Sequence, residues 1–266
     1  MADGGELLVE LDGRVALLTL NRPERRNALS STMLVSLAET LRRLEEEGQA
    51  RCVILRGAGE KAFSAGMDLS ALPEGIPSDV QSLIEEKGPL AYGLDAVEEC
   101  SLPVIAMIRG WCLGAGCETA MACDLRVGAQ GCRMGMPPAR LGIVYPPEGL
   151  QRFIRAVGPS VTRKIFLTAR YFEGEEALAS GMLHYLISEE QLEEFTLELA
   201  REVAALAPLS LAGHKRSLYH LTRPLPLSQE TRAEVEGLMA RALASEDARE
   251  GLAAFAQKRA PEFKGR

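Results

Sequence analysis

Short apolar runs separated by turn residues characterise the first half of the chain. The first two runs, residues 7–11 and 15–20, flank the dipeptide Asp12-Gly13. An Asp-Gly pair between two apolar runs is typical of a β-hairpin, because its backbone adopts the tight turn that matches the twist of the strands. We therefore predict two antiparallel strands here.

A helix and a third strand are predicted after the hairpin. Ser30 or Ser31 can cap the helix, and Gly48 is a typical helix end. The apolar face of this helix consists of Leu34, Leu37, Ala38, Leu41 and Leu44. Residues 52–55 form the next buried-strand candidate. Strand, helix and strand in this order predict a crossover unit and a partly parallel sheet.

Further strand candidates precede a largely helical C-terminal part. The strand candidates are residues 103–108, 125–129 and 183–187, whereas residues 133–149 are rich in proline and are predicted to be irregular. Short helices are predicted at residues 151–157, 161–168 and 174–180. From Glu189 onward the pattern is almost entirely helical. This change in pattern predicts a core at residues 1–205 and a helical region at residues 206–266.

Composition and charge exclude several classes of protein. The net charge of −7 argues against non-specific nucleic-acid binding. No apolar run approaches the roughly 18 residues of a membrane span, and the N-terminal residues lack a secretory signal pattern. The six cysteines include no Cys-x-x-Cys pair and no neighbouring histidine at metal-ligand spacing. We therefore expect reduced, mostly buried thiols, no metal site and a cytoplasmic protein.

One stretch carries most of the candidate chemistry. The strand candidate at residues 103–108 leads into the turn Gly114-Ala115-Gly116 and then into a short helical segment that carries Glu118. A helix N-terminus presents unpaired N–H groups and a favourable dipole, so it can stabilise an oxyanion, with an acid or base one turn away. The same glycines also suit a strand-to-helix connection in which they serve packing alone.

A second small-residue turn, Ala65-Gly66-Met67, follows another strand of the same kind of unit. Gly66 lets the backbone turn so that the N–H of Met67 points into a cavity. Two backbone N–H groups from different loops are the minimum for an oxyanion hole. The two turns together therefore favour an anion-stabilising site over simple packing.

With Arg25-Arg26 and the sequence AFSAGMDL at residues 62–69, these turns resemble the crotonase (enoyl-CoA hydratase/isomerase) family. The resemblance runs from NRPERRNAL at residues 21–29 to AFAQKRAPEF at residues 254–263. It implies an α/β fold, a spiral of β-β-α units with a helical C-terminal region that forms a homotrimer or a hexameric dimer of trimers. It also implies an acyl-CoA thioester as substrate, with no cofactor beyond that coenzyme A, no nucleic acid and no membrane.

The resemblance further implies roles for individual residues. The N–H groups of Met67 and Ala115 would hold the thioester oxygen, and Glu118 would act as acid or base. The coenzyme A would contact Arg25, Arg26, Ala62, Ala65, Asp68, Leu69, Phe255 and Lys258. Two surface arginines are also compatible with simple solvation, and Phe255 with helix packing.

The position of a second acid distinguishes the reactions of the family. Its hydratases place two glutamates around one water, but this chain has Pro138 at the second position, and proline cannot transfer a proton. Tyr145, in LGIVY, is similar to the tyrosine of the methylmalonyl-CoA decarboxylases, which the C-terminal half of the chain also resembles. Those decarboxylases have a histidine where this chain has Met67. Glu148 resembles, across a two-residue gap, the catalytic glutamate of some enoyl-CoA isomerases.

These residues leave three interpretations. The first is an acyl-CoA enzyme that stabilises a thioester enolate and transfers a proton through Glu118, with Glu148 as a further candidate. The second is decarboxylation of a malonyl-type CoA with Tyr145 as carboxylate-positioning group or proton donor. The third is a catalytically silent CoA-binding protein. Tyr145 is also compatible with a half-buried aromatic, and Glu148 with a helix N-terminal carboxylate.

Overall fold

The computed structural model describes residues 5–68, 87–222 and 227–266, and the chain divides into two units. The first comprises Met1–Met134 and Phe172–Thr222, and the second comprises Gly135–Tyr171 and Arg223–Arg266. The boundary predicted after residue 205 falls inside the first unit. Leu69 lies outside the described residues.

A six-stranded sheet forms the centre of the first unit. Its strands are β1 (Leu7–Asp12), β2 (Val15–Leu20), β3 (Cys52–Gly57), β5 (Val104–Ile108), β7 (Leu125–Ala129) and β10 (Tyr185–Ile187). Their spatial order is β1-β2-β3-β5-β7-β10. β1 and β2 are antiparallel, as the Asp-Gly turn predicts, and all other neighbours are parallel. The predicted hairpin and partly parallel sheet are confirmed.

A second, smaller sheet has four strands. They are β4 (Ala62–Ser64), β6 (Trp111–Leu113), β8 (Arg133–Gly135) and β9 (Phe172–Glu173), in the order β4-β6-β8-β9. The prediction of an irregular segment from residue 133 is wrong at its start, where β8 lies. A strand of two or three residues is too short for alternation of apolar and polar positions to reveal it.

Nine α-helices occur in the described part of the chain. They are α1 (Ser31–Glu47), α2 (Pro89–Glu99), α3 (Ala115–Ala122), α4 (Pro147–Thr168), α5 (Gly174–Ala179), α6 (Leu192–Ala205), α7 (Pro208–Thr222), α8 (Gln229–Ala244) and α9 (Glu246–Ala256). None of these helices is long and apolar enough to cross a membrane. Helices and parallel strands together give the predicted α/β class.

Local signals explain how α1 begins and ends. The hydroxyl of Ser30 accepts a hydrogen bond from the N–H of Met33 at 3.0 Å, and Gly48 ends the helix in the left-handed conformation with a φ of 62°. The predicted apolar face is buried. On the large sheet, residues of β2, β3, β5 and β7 form a core cluster with Leu192, Ala200 and Ala204 of α6.

The second unit is built on α4 and the C-terminal helices. The two helices predicted at residues 151–157 and 161–168 are confirmed: the range of α4 consists of two helical segments separated at Gly158, whose φ of 74° is not helical. α4 also begins at Pro147, because proline at the first helical position loses no backbone hydrogen bond. α9 packs closely on a 3-10 helix (Pro138–Leu141), so that a Cβ on Gly251 would lie 2.6 Å from the carbonyl carbon of Leu141.

One lysine fastens α7 to the rest of the first unit. The Nζ of Lys215 lies 2.7 Å from Oδ2 of Asp124 and donates to the carbonyls of Leu102 and Val97 at 2.9 and 3.1 Å. Oδ2 of Asp124 also accepts the N–H of Val104 at 2.7 Å. Since Asp124 follows α3 and Val104 begins β5, the Lys215–Asp124 pair joins the end of the helix that follows the Gly114 turn to the beginning of β5.

We expect Lys215→Met to lower the free energy of unfolding by about 2–3 kcal/mol, measured from urea denaturation. The side chain of Lys215 is 9% exposed, and removal of its ammonium leaves a carboxylate and two carbonyls without that donor. Asp124 is 30% exposed, so water limits the loss. The control is Arg201→Met, which breaks a half-exposed pair with Asp12 and should cost less than about 1 kcal/mol. Equal losses in the two variants would contradict the role of Lys215.

Candidate active site

The two small-residue turns lie in contact in the first unit. A Cβ added to Gly66 would lie 3.5 Å from the backbone nitrogen of Ala115 and 3.7 Å from the Cα of Gly114. Both glycines have positive φ, 106° for Gly66 and 54° for Gly114. Other residues adopt these conformations only with strain. The positive φ therefore favours glycine at both positions, and at Gly66 an added Cβ would also lie only 3.1 Å from the carbonyl oxygen of Leu113.

α3, which follows the Gly114 turn, packs even more closely on β4, the strand before the Gly66 turn. A Cβ on Gly116 would lie 2.6 Å from the Cβ and 2.7 Å from the carbonyl oxygen of Ser64. The hydroxyl of Ser64 in turn accepts the N–H of Gly66 at 3.2 Å. β4 and the first turn of α3 are thereby held at backbone contact distance.

The direction of the Met67 N–H follows from its pairing with Leu29. Met67 and Leu29 form a parallel β-bridge. The N–H of Leu29 donates to the carbonyl of Gly66 at 2.8 Å, and the N–H of Asp68 donates to the carbonyl of Leu29 at 2.9 Å. Because successive N–H groups of an extended chain point to opposite sides, the N–H of Met67 points away from Leu29.

The start of α3 leaves backbone donors outside the helical ladder. Its first i→i−4 hydrogen bond joins the N–H of Glu118 to the carbonyl of Gly114 at 3.0 Å. The N–H groups of Ala115, Gly116 and Cys117 precede this bond and are the orphan donors of a helix N-terminus. The dipole of α3 adds partial positive charge at the same place. This end of α3 is suited to stabilise negative charge.

Glu118 is the single charged residue of α3. Glu118 is 2% exposed, and every residue of the helix is buried. Two neighbouring cysteines are poor nucleophiles, since burial raises the pKa of Cys112 well above its usual value and that of Cys123 to about 12. All six cysteines are buried and free, as predicted. A carboxyl group is therefore enclosed one turn from the donors of α3.

The second unit contains the candidates for a further acid or base. The ring of Tyr145 lies 5.5 Å from that of Phe166, and the tyrosine is half-buried. Glu148 is in the first turn of α4 and forms an exposed ion pair with Arg232 at 3.2 Å. Pro138, at the position of the second hydratase glutamate, is buried in the 3-10 helix.

Comparison with known proteins assigns the chain to a family. The family model described as enoyl-CoA hydratase/isomerase matches residues 10–266.

The chain belongs to the enoyl-CoA hydratase/isomerase family.

Its relatives in this crotonase family share the whole length of the chain. The 2,3-dehydroadipyl-CoA hydratase of Escherichia coli K12 is 34% identical over 261 residues, 98% of this chain and 99% of that protein. The carnitinyl-CoA dehydratase of Salmonella typhi is 35% identical over 259 residues, 96% and 97% of the two chains. A solved methylmalonyl-CoA decarboxylase in complex with 2-nitronate-propionyl-CoA superposes with a TM-score of 0.88, at 30% identity and with 98% and 99% coverage. The fold is therefore the predicted crotonase fold, and the protein is a crotonase-family enzyme.

The residues that the family resemblance assigns to coenzyme A lie in several environments. Arg25 and Arg26 are exposed on the loop after β2, Ala62 is buried in β4, and Ala65 is exposed at the first turn. Phe255 is 72% exposed on α9, so its ring is not used for packing within the described residues. Lys258 is exposed just beyond that helix.

Asp68 lies in an ion-pair cluster rather than on an open surface. Its Oδ2 accepts from Nη2 of Arg22 at 2.7 Å and from Nη1 of Arg25 at 3.0 Å, and its side chain is 7% exposed. Arg25, expected to face phosphate, thus has a carboxylate partner in the first unit. No sequence motif identifies Arg22 as part of this cluster.

Asn27 is a second residue of this loop that the sequence analysis missed. It is fully buried with a φ of 54°, and its Nδ2 donates to the carbonyls of Ala58 and Ala62 at 3.0 and 2.8 Å. Its Oδ1 accepts the N–H of Arg22 at 3.0 Å. The available signal was an asparagine in a polar loop, since asparagine tolerates positive φ better than most residues.

We expect Gly116→Ala to lower the free energy of unfolding by about 1–3 kcal/mol, because the added Cβ forces β4 and α3 apart. Thermal and urea denaturation measure this loss. Gly213→Ala is the control, since a Cβ on Gly213 of α7 meets nothing within 4 Å. That variant should be as stable as the wild type or up to about 1 kcal/mol more stable. Equal stability of the two variants would show that Ser64 and Gly116 can move apart without loss of stability.

Proposed function

We propose that this enzyme converts an acyl-CoA thioester through an enolate whose oxygen accepts hydrogen bonds from the N–H groups of Met67 and Ala115. The supporting observation is the backbone contact between Gly66 and Gly114, because it brings the two turns together. The names of the relatives, which act on CoA thioesters, support the class of substrate. The coenzyme A is then part of the substrate, and we propose no other cofactor.

Charge on the thioester oxygen is the reason for two fixed donors. When a proton leaves the α-carbon, the electron pair of the C–H bond is delocalised onto this oxygen. Donors that are already in position need no reorganisation as the charge develops, and each contributes about 3 kcal/mol in comparable oxyanion holes. The N-terminal dipole of α3 acts in the same direction.

Glu118 is the proposed acid and base. Its carboxylate accepts the α-proton, and the resulting carboxylic acid returns a proton to the substrate carbon. This transfer at the α-carbon is common to isomerisation, hydration and dehydration, and two relatives are named as a hydratase and a dehydratase. Pro138 carries no proton, so hydration with two glutamates ranks last.

The remaining contacts of the substrate and the assembly are also part of the proposal. Arg25 and Arg26 would pair with the phosphates, while Ala62, Ala65 and Leu69 would border the adenine. Phe255 and Lys258 would meet the nucleotide of a neighbouring subunit. Exposed leucines on α7, with 89% exposure at Leu209 and 82% at Leu221, support self-association as a homotrimer or a dimer of trimers.

We expect Glu118→Gln to reduce turnover at least tenfold, because a general acid or base contributes roughly 100-fold or more. Turnover of crotonyl-CoA and of a 3-enoyl-CoA is the measurement. The amide keeps the size of the side chain and removes its proton transfer. Glu198→Gln, an exposed change on α6, is the matched control and should leave turnover unchanged.

Three outcomes of this experiment change the assignment. Unchanged turnover of Glu118→Gln removes Glu118 from the mechanism. A loss in Glu148→Gln with none in Glu118→Gln moves the base to Glu148. A wild-type protein that binds CoA tightly but converts none of crotonyl-CoA, a 3-enoyl-CoA and methylmalonyl-CoA is a silent CoA-binding protein.

Decarboxylation of a malonyl-type CoA is the second candidate. Three solved structures of methylmalonyl-CoA decarboxylase superpose with TM-scores of 0.88 to 0.89, against 0.76 for an enoyl-CoA hydratase/carnithine racemase from Magnetospirillum magneticum. In this reaction the bond between the α-carbon and the carboxylate breaks, carbon dioxide leaves, and the electron pair forms the same enolate. Tyr145 would position the carboxylate or donate the proton to the α-carbon.

If this second reaction operates, Tyr145→Phe should slow carbon dioxide release from methylmalonyl-CoA at least tenfold, since the variant loses the phenolic proton and keeps the ring that packs on Phe166. The same variant should convert crotonyl-CoA at the wild-type rate. Carbon dioxide release at the wild-type rate would remove Tyr145 from the decarboxylation.

A further inference from the structure

Asp68 directly follows Met67, whose N–H is a proposed oxyanion donor. A contact with the nucleotide does not explain why the carboxylate of Asp68 is buried and paired. Its carboxylate is 7% exposed, and Oδ2 lies 2.7 and 3.0 Å from guanidinium nitrogens of Arg22 and Arg25. Its N–H donates to the carbonyl of Leu29 at 2.9 Å. The residue is therefore fixed through both its backbone and its side chain.

Several polar groups of the first unit fix the guanidinium and the backbone of Arg22. Its Nε lies 3.0 Å from Oε1 of Glu6, and its Nη1 donates to the carbonyl of Ala28 at 2.9 Å. Asn27 accepts the backbone N–H of Arg22 and reaches the carbonyls of Ala58 and Ala62. The guanidinium that faces Asp68 is thus a rigid anchor, since its planar donors are directed at separate acceptors.

Backbone hydrogen bonds and one hydroxyl also hold the segment around Met67, since the hydroxyl of Ser64 accepts the N–H of Gly66 at 3.2 Å. Ala65 donates to the carbonyl of Arg26 at 2.9 Å, and Leu29 bridges Gly66 and Asp68. These bonds tie the Ala65-Gly66-Met67 turn to residues 26–29. The Arg22–Asp68 pair fixes the same two segments through side chains, immediately after Met67.

We propose that Asp68 is a positioning residue, which acts through Arg22 to hold the N–H of Met67 at the oxyanion and which makes no contact with the nucleotide of coenzyme A. The inference rests on the proposed function, because it takes that N–H as an oxyanion donor. It replaces the role in coenzyme A binding that the family resemblance implies for Asp68.

Enolate formation by a bound 3-oxoacyl thioester tests whether the N–H of Met67 is held at the oxyanion, and it requires no turnover. Acetoacetyl-pantetheine lacks the nucleotide, and its enolate absorbs in the ultraviolet, so the ratio of enolate to keto form reports the strength of the oxyanion donors. At saturation, Asp68→Asn should lower this ratio at least tenfold, and equally for acetoacetyl-CoA. The affinity for free coenzyme A should stay within about twofold of the wild type.

The opposite pattern would overturn the proposal. If Asp68→Asn keeps the enolate ratio and weakens the binding of free coenzyme A, Asp68 is a nucleotide contact. Asp12→Asn is the matched control, because Asp12 pairs with Arg201 at the surface, and it should change neither quantity.

Two further measurements keep the result decisive. The double variant Arg22→Met/Asp68→Asn removes both charges and leaves none buried without a partner. If its circular dichroism spectrum matches that of the wild type, the variant is folded and should show the same loss of enolate. Full retention of the enolate contradicts the proposal. Turnover by the wild type is scored separately. A wild type that forms the enolate but converts no thioester ends the proposed function alone, whereas one that forms no enolate ends both.

Discussion

The contact between Gly66 and Gly114 is the constraint on which the candidate site depends. Two backbone segments from different strand-turn units are in van der Waals contact, and a Cβ on Gly66 would lie 3.1 Å from the carbonyl oxygen of Leu113, the residue before Gly114. Both residues also adopt positive φ. Sterics therefore fix the distance between the Met67 turn and the start of α3 before any polar interaction is considered.

Two ion pairs hold the segments that meet in this contact. Arg22 and Asp68 fasten the loop after β2 to the Met67 turn, and Lys215 and Asp124 fasten the end of α3 to the beginning of β5. Neither pair touches the glycines. The Arg22–Asp68 pair is largely buried, so removing one partner leaves a charge that the fold cannot easily solvate, whereas water reaches Asp124 in the second pair. The site is made of backbone groups, but its geometry is maintained by ion pairs on either side of it.

The sequence predicts those features whose signals are local. An Asp-Gly dipeptide predicts the first hairpin, Ser30 and Gly48 predict the ends of α1, and the glycines mark both turns. The strands of the small sheet are missed because two or three residues carry no periodicity. Lys215 and its partner Asp124 are 91 residues apart, so no local pattern connects them. The environment of Asp68 is also non-local, because the arginines that enclose it precede it by more than 40 residues.

The proposed oxyanion hole does not decide the reaction, because isomerisation, hydration and decarboxylation would all place charge on the thioester oxygen. The distinction lies in the groups that move protons. Glu148 is solvated and paired with Arg232, so bulk water competes for any proton it would transfer. Glu118 is enclosed on the same helix as Ala115, the proposed second donor, where burial excludes water and would strengthen electrostatic interactions with a substrate. With proline in place of the second glutamate, this arrangement favours a single-carboxylate proton transfer, and Tyr145 becomes relevant only when the substrate itself carries the carboxylate that leaves.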